Sequence, residues 1–277
     1  MMFEEGFVEC ADAYRLHVGF LRDKAPRGWV VIAHGFGEHF ERYADVARHL
    51  TSLHLSVFAF DFRGYGRSEG ARGAIDAYDD YVEDFQAALA YLKDQEGVDQ
   101  AHLLAHSQGG LITTYFLKQT GYRPRSLVLS APGLKFVVEV PVWKRLAGEV
   151  ASRLVPTLAL PSGIDPYTLT HDRAICQAYD ADPLVVKNAT ARWFTESMRA
   201  QREVLAQPFT ADYPVLLMQG SDDRLVDPRT NKVFFETLSA PRKEFKEYDG
   251  FYHELLNEVD KARPYADLKA WYESLLQ

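Results

Sequence analysis

Ala101-His-Leu-Leu-Ala-His-Ser107-Gln-Gly109-Gly110-Leu-Ile-Thr-Thr-Tyr-Phe-Leu117 changes its hydrophobic period within a few residues. His102-Leu-Leu-Ala105 is too short for a helix and has turn residues just beyond it, so it reads as a strand buried on both faces of a parallel sheet. Leu111, Ile112, Tyr115 and Phe116 then fall at steps of three and four, which is helical spacing. So abrupt a reversal leaves little room for side chains, which is the physical reason for small residues at Ala105, Gly109 and Gly110. Ser107 stands at the apex. Its hydroxyl is expected at a helix N-terminus, where free N–H groups and the positive end of the dipole favour a developing negative charge. This is the pattern of a nucleophile elbow, usually G-x-S-x-G and here A-x-S-x-G, with Ala105 needing slightly more room beside the next strand. A serine that merely N-caps a helix gives the same letters. The assignment therefore depends on partners elsewhere in the chain.

The flanking sequence predicts alternating strands and helices. An alternating stretch from Phe7 to Phe20, with a turn at Ala11-Asp12-Ala13, reads as an antiparallel hairpin. Gly28–Ala33, Ser56–Asp61, Ser126–Ser130, Pro214–Gly220 and Lys243–Tyr248 read as strands. Between them lie helical patterns, the longest marked by Tyr78, Val82, Phe85, Leu89 and Leu92 and ending at Gly97. The expected fold is α/β, with a mostly parallel sheet covered on both faces. The rhythm breaks between Gly133 and Pro208. There a broad apolar helical set from Phe136 to Val155 precedes Pro156, Pro161 and Pro166, and no strand is evident. Residues 133–206 are expected to form a helical cap over a greasy pocket, inserted in a core made of 1–132 and 207–277.

The chain has 277 residues, 47% of them hydrophobic, and a formal net charge of −8. That balance argues against a nucleic-acid surface and against electrostatic attraction to anionic lipid heads. The two cysteines, Cys10 and Cys176, offer neither a disulfide framework nor a metal spacing, and a reducing, cytoplasmic location is expected. No signal core and no run of about 18 apolar residues is found.

A serine is inert at neutral pH until a base takes its proton, and the base needs an acid group to fix its tautomer. Gly220-Ser-Asp222-Asp223-Arg-Leu-Val226 puts two aspartates beyond one strand, and Asp249-Gly-Phe-Tyr-His253 puts a histidine beyond the next. Either aspartate could serve the histidine. Asp227, ahead of Pro228, is expected to be an N-cap. A tetrahedral oxyanion also needs donors. The N–H of Gln108 opens the helix after Ser107, and the N–H of Phe36 sits in the glycine-flanked His34-Gly-Phe-Gly loop. His34 to His39 is one residue longer than an inverted zinc motif and is broken by glycine, so no metal is expected. Gly64-x-Gly66-x-x-x-Gly70 misses the dinucleotide spacing by one and no phosphate loop is present, so no cofactor is expected either.

Taken together, His34-Gly-Phe-Gly-Glu-His39, Asp61-Phe-Arg-Gly-Tyr-Gly-Arg-Ser-Glu-Gly70, Ala-His-Ser107-Gln-Gly-Gly, Gly-Ser-Asp-Asp223-Arg-Leu and Tyr-His253-Glu resemble the monoacylglycerol lipase and lysophospholipase family. These enzymes are α/β-hydrolases of the serine aminopeptidase-like superfamily. The resemblance implies a triad of Ser107, His253 and Asp223, since the family's acid sits third after the strand-ending glycine and leaves Asp222 as a turn residue. It also implies an amphiphilic cap that guides one acyl chain to the serine, with a glycerol-type head near Glu38, Arg42, His106 and Tyr179. Leu256 departs from the mammalian monoglyceride enzymes, which carry a second histidine there, and Phe36 replaces a smaller residue. An amphiphilic acyl ester is the expected substrate, and peripheral membrane contact through the apolar side of the cap, around Val137 to Val155, is a further expectation. Two other readings stand beside it. One is a serine aminopeptidase, whose substrate amine would seek the cap carboxylates Glu139, Glu149, Asp165, Asp180 and Asp182, and the other is a hydrolase-fold receptor without turnover.

Overall fold

The computed structural model describes residues 2–137 and 142–276, with no account of the side chains of 142–147. Ten strands and eight α-helices are assigned in it. In chain order the strands are β1 (Glu4–Glu9), β2 (Arg15–Leu21), β3 (Gly28–Ala33), β4 (Leu55–Phe60), β5 (His102–His106), β6 (Ser126–Ser130), β7 (Ala159–Pro161), β8 (Asn188–Thr190), β9 (Val215–Gly220) and β10 (Lys243–Tyr248). The helices are α1 (Ala44–Thr51), α2 (Asp80–Glu96), α3 (Gln108–Thr120), α4 (Val142–Leu154), α5 (Arg173–Ala181), α6 (Ala191–Leu205), α7 (Pro228–Thr237) and α8 (Ala262–Leu275).

Eight strands form one sheet in the order β1-β2-β4-β3-β5-β6-β9-β10. The β1–β2 hairpin and the β2–β4 pair are antiparallel, and every pairing from β4 to β10 is parallel. The central strands are buried along their length and mostly apolar, because successive residues feed opposite faces that are both covered. Leu103, Leu127 and Leu217 join the core cluster that also holds Phe85 of α2 and Phe116 of α3. Leu104, Val128 and Leu216 join the cluster that holds Leu50 of α1 and Trp271 of α8. The outer strand β10, Lys-Glu-Phe-Lys-Glu-Tyr, is mostly polar and half-exposed, which keeps that edge from pairing further.

The segment from 133 to 206 differs from the sequence expectation. It contains a short antiparallel pair, β7 with β8, where no strand was evident. Phe136 is not helical but bridges Val226, and α4 begins at Val142. Val140 and Glu139 lie outside the described residues, as do the side chains of Trp143 and Leu146.

Candidate active site

Four loops at the carboxyl ends of β3, β5, β9 and β10 meet at one rim of the sheet. The turn after β5 is tight. Ser107 takes φ 51° and ψ −119°, and its N–H donates to the Ser130 carbonyl at 3.0 Å. A Cβ on Gly109 would stand 2.3 Å from the Ala33 carbonyl oxygen, so only glycine lets α3 approach β3 so closely. Ser107 thereby becomes the residue from which α3 starts, and its neighbour Gln108 carries one of the helix's unpaired N–H groups.

The β10 loop brings His253 onto this serine. His253 Nε2 lies 2.7 Å from Ser107 Oγ, and His253 Nδ1 lies 2.7 Å from Asp223 Oδ2. Asp223 is buried and saturated. Its Oδ1 accepts the N–H groups of Leu225 and Val226 at 2.9 and 3.0 Å, and Oδ2 also accepts from Gln219 Nε2 at 3.1 Å. Asp222 is exposed and takes a bond only from the Ser221 hydroxyl among the described side chains. Asp227 caps α7 by accepting from the Arg229 N–H. Burial alone would raise the Asp223 carboxyl, but the His253 imidazole and the two amides hold it below its ordinary value. Burial also presses His253 down, but the charge and hydrogen bond of Asp223, with the charges of Glu254 and Glu38, together outweigh it, so the imidazole sits above its ordinary value. This arrangement suits Nδ1–H donating to Asp223 and the Nε2 lone pair accepting the serine hydroxyl.

The loop after β3 holds Phe36 and Glu38 against the same space. Glu38 accepts the Gly35 N–H at 2.9 Å, the Tyr43 hydroxyl at 2.7 Å and the Arg42 guanidinium. Those donors hold it ionised, well below the usual carboxylate range despite its burial. His34 and His39 are used in packing. His34 Nε2 accepts the Phe62 N–H at 3.1 Å, and His39 pairs with Asp182 at 2.8 Å. His106 bonds the Ser130 carbonyl through Nδ1, and burial together with neighbouring His253 pushes it down to about 4.

A narrow cavity opens on Ser107 and His253. Its lining combines the polar Glu38, His106, Tyr179 and Glu254 with the apolar Phe36, Ile164, Leu169 and Leu225. Arg42 lies behind this wall, its guanidinium 4.7 Å from the Tyr179 ring centroid. Leu256 does not enter the cavity, since it is packed in the core cluster of the α1–α8 face. Sequence reasoning missed Glu254, which bonds Arg42 Nη2 through both carboxylate oxygens at 2.9 and 3.0 Å. The only hint was a charged residue directly following the histidine. It also missed Gln219, whose carboxamide steadies Asp223 from within β9.

The family model described as serine aminopeptidase, S33, matches residues 24–260. The human monoglyceride lipase is 32% identical over 237 residues, covering 84% of this chain and 78% of that one. A phospholipase of Bacillus subtilis, YtpA, is 28% identical over 254 residues, 91% of this chain and 97% of that one. Among solved structures, the Paleococcus ferrophilus monoacylglycerol lipase superposes with a TM-score of 0.85 at 26% identity, covering 94% of this chain and 98% of that one. With its parallel sheet, its serine at a strand-to-helix turn and these matches, the chain belongs to the serine aminopeptidase S33 family of α/β-hydrolases and is a relative of the monoacylglycerol lipases.

Proposed function

We propose that the protein is a serine hydrolase that cleaves carboxylic esters of long-chain acyl glycerols or their lysophospholipid counterparts. The observation that carries the reading is the unbroken hydrogen-bond chain from Ser107 Oγ through His253 to Asp223, opening on a cavity lined by both polar and apolar side chains. Ser107 gives its proton to His253 Nε2 and attacks the ester carbonyl carbon. The N–H groups of Phe36 and Gln108 receive the oxyanion, and each such donor contributes roughly 10² to 10³ in rate. As the tetrahedral intermediate collapses, His253 returns the proton to the departing alkoxide. Water then attacks the acyl-enzyme, His253 takes its proton, and the fatty acid leaves with Ser107 restored.

Residues 133–206 act as the cap in this reading. Ile164, Leu169 and Tyr179 from that segment line the cavity with the core loops. Exposed Val137, Val150, Leu154, Val155, Leu158 and Leu160 give its outer side an apolar surface suited to a lipid interface. None of the described helices is long and apolar enough to cross a membrane. The amide-cleaving alternative has less support. Asp180 and Asp182 are taken by Lys187 and His39, Asp165 caps a short 3₁₀ turn, and none of the three lines the cavity.

Hydrolysis of p-nitrophenyl esters and of aminoacyl anilides by the wild type, Ser107→Ala and His253→Ala tests the proposal. Ester cleavage abolished in both variants, with Ser107 labelled by a fluorophosphonate, is the expected outcome. Unchanged ester turnover in either variant, or preferential anilide cleavage, overturns it, and an unlabelled Ser107 favours the receptor reading.

A further inference from the structure

Glu254 is a buried carboxylate that the proposed chemistry does not use, only 4% exposed and one residue after His253. Its partners are all donors. Arg42 Nη2 reaches both of its oxygens, and Asn257 Nδ2 donates at 2.7 Å, so its contacts suit the ionised form, although burial and the Glu38 charge together raise its carboxyl above the ordinary value. Glu38 takes the other arm of the same guanidinium. Arg42, itself only 11% exposed in its side chain, is thus shared between two carboxylates and stands behind them, while both carboxylates face the cavity. His106, the remaining basic group on this wall besides His253, is pushed down to about 4 by burial and by His253 and is neutral near pH 7. Two negative charges and one positive charge leave the wall with a net negative charge in a site of low dielectric.

We infer that Glu254, with Glu38, sets the head-group preference of this site by giving its polar end an acidic wall that accepts an uncharged polyol and rejects a phosphate. A hydroxyl can donate to a carboxylate oxygen. A phosphate has acceptors almost alone, and to pair with Arg42 it would have to displace a carboxylate already bonded through both oxygens. Like charges brought together in a desolvated site are strongly disfavoured. The inference rests on the ester-hydrolase reading above, and Glu254 enters as a specificity residue, since its effect is exerted on the head group and not on the reacting atoms.

The test compares kcat/KM for 1-octanoylglycerol and for octanoyl lysophosphatidate, both below their aggregation concentrations, with a p-nitrophenyl ester that lacks a head group as the reference. In the wild type the acylglycerol should be favoured by on the order of 10²-fold. In Glu254→Gln that ratio should narrow by about tenfold or more, whatever the overall turnover, and Glu254→Asp, which keeps the charge, should retain the wild-type ratio. A wild-type ratio near unity overturns the inference even if Glu254→Gln fails to fold. So does a ratio unmoved in a folded Glu254→Gln. Failure of the wild type to cleave the p-nitrophenyl ester sinks the ester-hydrolase reading instead, so the two failures are distinguishable.

Discussion

Replacing Asp223 by asparagine separates the two aspartates that the sequence leaves side by side. The two oxygens of Asp223 are not equivalent, because Oδ1 receives two amide N–H groups, from Leu225 and Val226, while Oδ2 faces His253 and Gln219. An asparagine must keep its carbonyl oxygen toward the two amides, since turning the NH₂ there would set donor against donor. Its NH₂ is then fixed opposite His253 Nδ1. That forces the proton onto Nε2, where it points at Ser107 and removes the lone pair that should accept the serine proton. The loss in triads with the wrong tautomer is roughly 10³ to 10⁴ in kcat, equivalent to about 4–5.5 kcal/mol of barrier. Asp222 is exposed and makes no contact with His253 among the described residues, so Asp222→Asn should change kcat by less than about twofold. Steady-state hydrolysis of a short p-nitrophenyl ester by both variants, with their folded state checked by circular dichroism, reads the difference. Asp223→Asn retaining a tenth of wild-type kcat, or Asp222→Asn losing as much as its neighbour, would refute the tautomer argument.

Because Asp223 holds His253 above its ordinary value and His253 must be neutral to accept a proton, activity should fall as pH drops through that raised value. A pH profile of kcat/KM should place its acid limb above about 6.5, the ordinary histidine value, and a limb below that value speaks against the assignment. His106 should add no second limb between pH 5 and 9, since it is already neutral there. Gly109→Ala would drive a Cβ into the Ala33 and His34 carbonyl oxygens, and should cost about 2–4 kcal/mol in chemical denaturation. Gly97→Ala, at φ 68° with nothing within 4 Å, should cost only about 1 kcal/mol; equal costs at the two sites would contradict the close-approach argument. In the segment 133–206, Val150→Asp combined with Leu154→Asp should weaken sedimentation with neutral liposomes, and unaltered binding would count against an apolar docking surface.

Much of the core was legible because its signals are local. The change of period around Ser107 needs only neighbouring residues, and so does the charged edge strand β10. The preference for Asp223 over Asp222 comes from the family resemblance, which puts the acid third after the strand-ending glycine, and its physical reason is not local. That reason is which carboxylate meets the amides of Leu225 and Val226, a consequence of how the chain turns after β9. The β7–β8 pair was hidden for another reason: its strands are short, and Pro161 ends one of them, so neither alternation nor length could betray it. Glu254 was hidden most completely. Its partner Arg42 lies 212 positions away, and a charge next to a catalytic-type histidine reads as an ordinary solvated residue until burial is known.

The same contacts explain why the polar wall and the segment 133–206 have to be considered together. The Val186 N–H donates to the Gly37 carbonyl at 2.8 Å, His39 pairs with Asp182, and the Tyr179 ring covers Arg42. Each of these joins the loop after β3, which carries Phe36 and Glu38, to the segment that supplies Ile164 and Leu169 to the cavity. As the chain lies here, the cavity has about 20 Å³ open to a water-sized molecule, room for about one water and not for a long acyl chain. Admitting such a chain requires the lining to widen, and Tyr179, which covers Arg42, is one of the residues that line it. Glu38 and Glu254 remain on the guanidinium in that event, because both belong to the core loops. The two carboxylates of the wall therefore keep their partner whether or not the segment moves, and a head group meets both of them before and after the cavity closes over it.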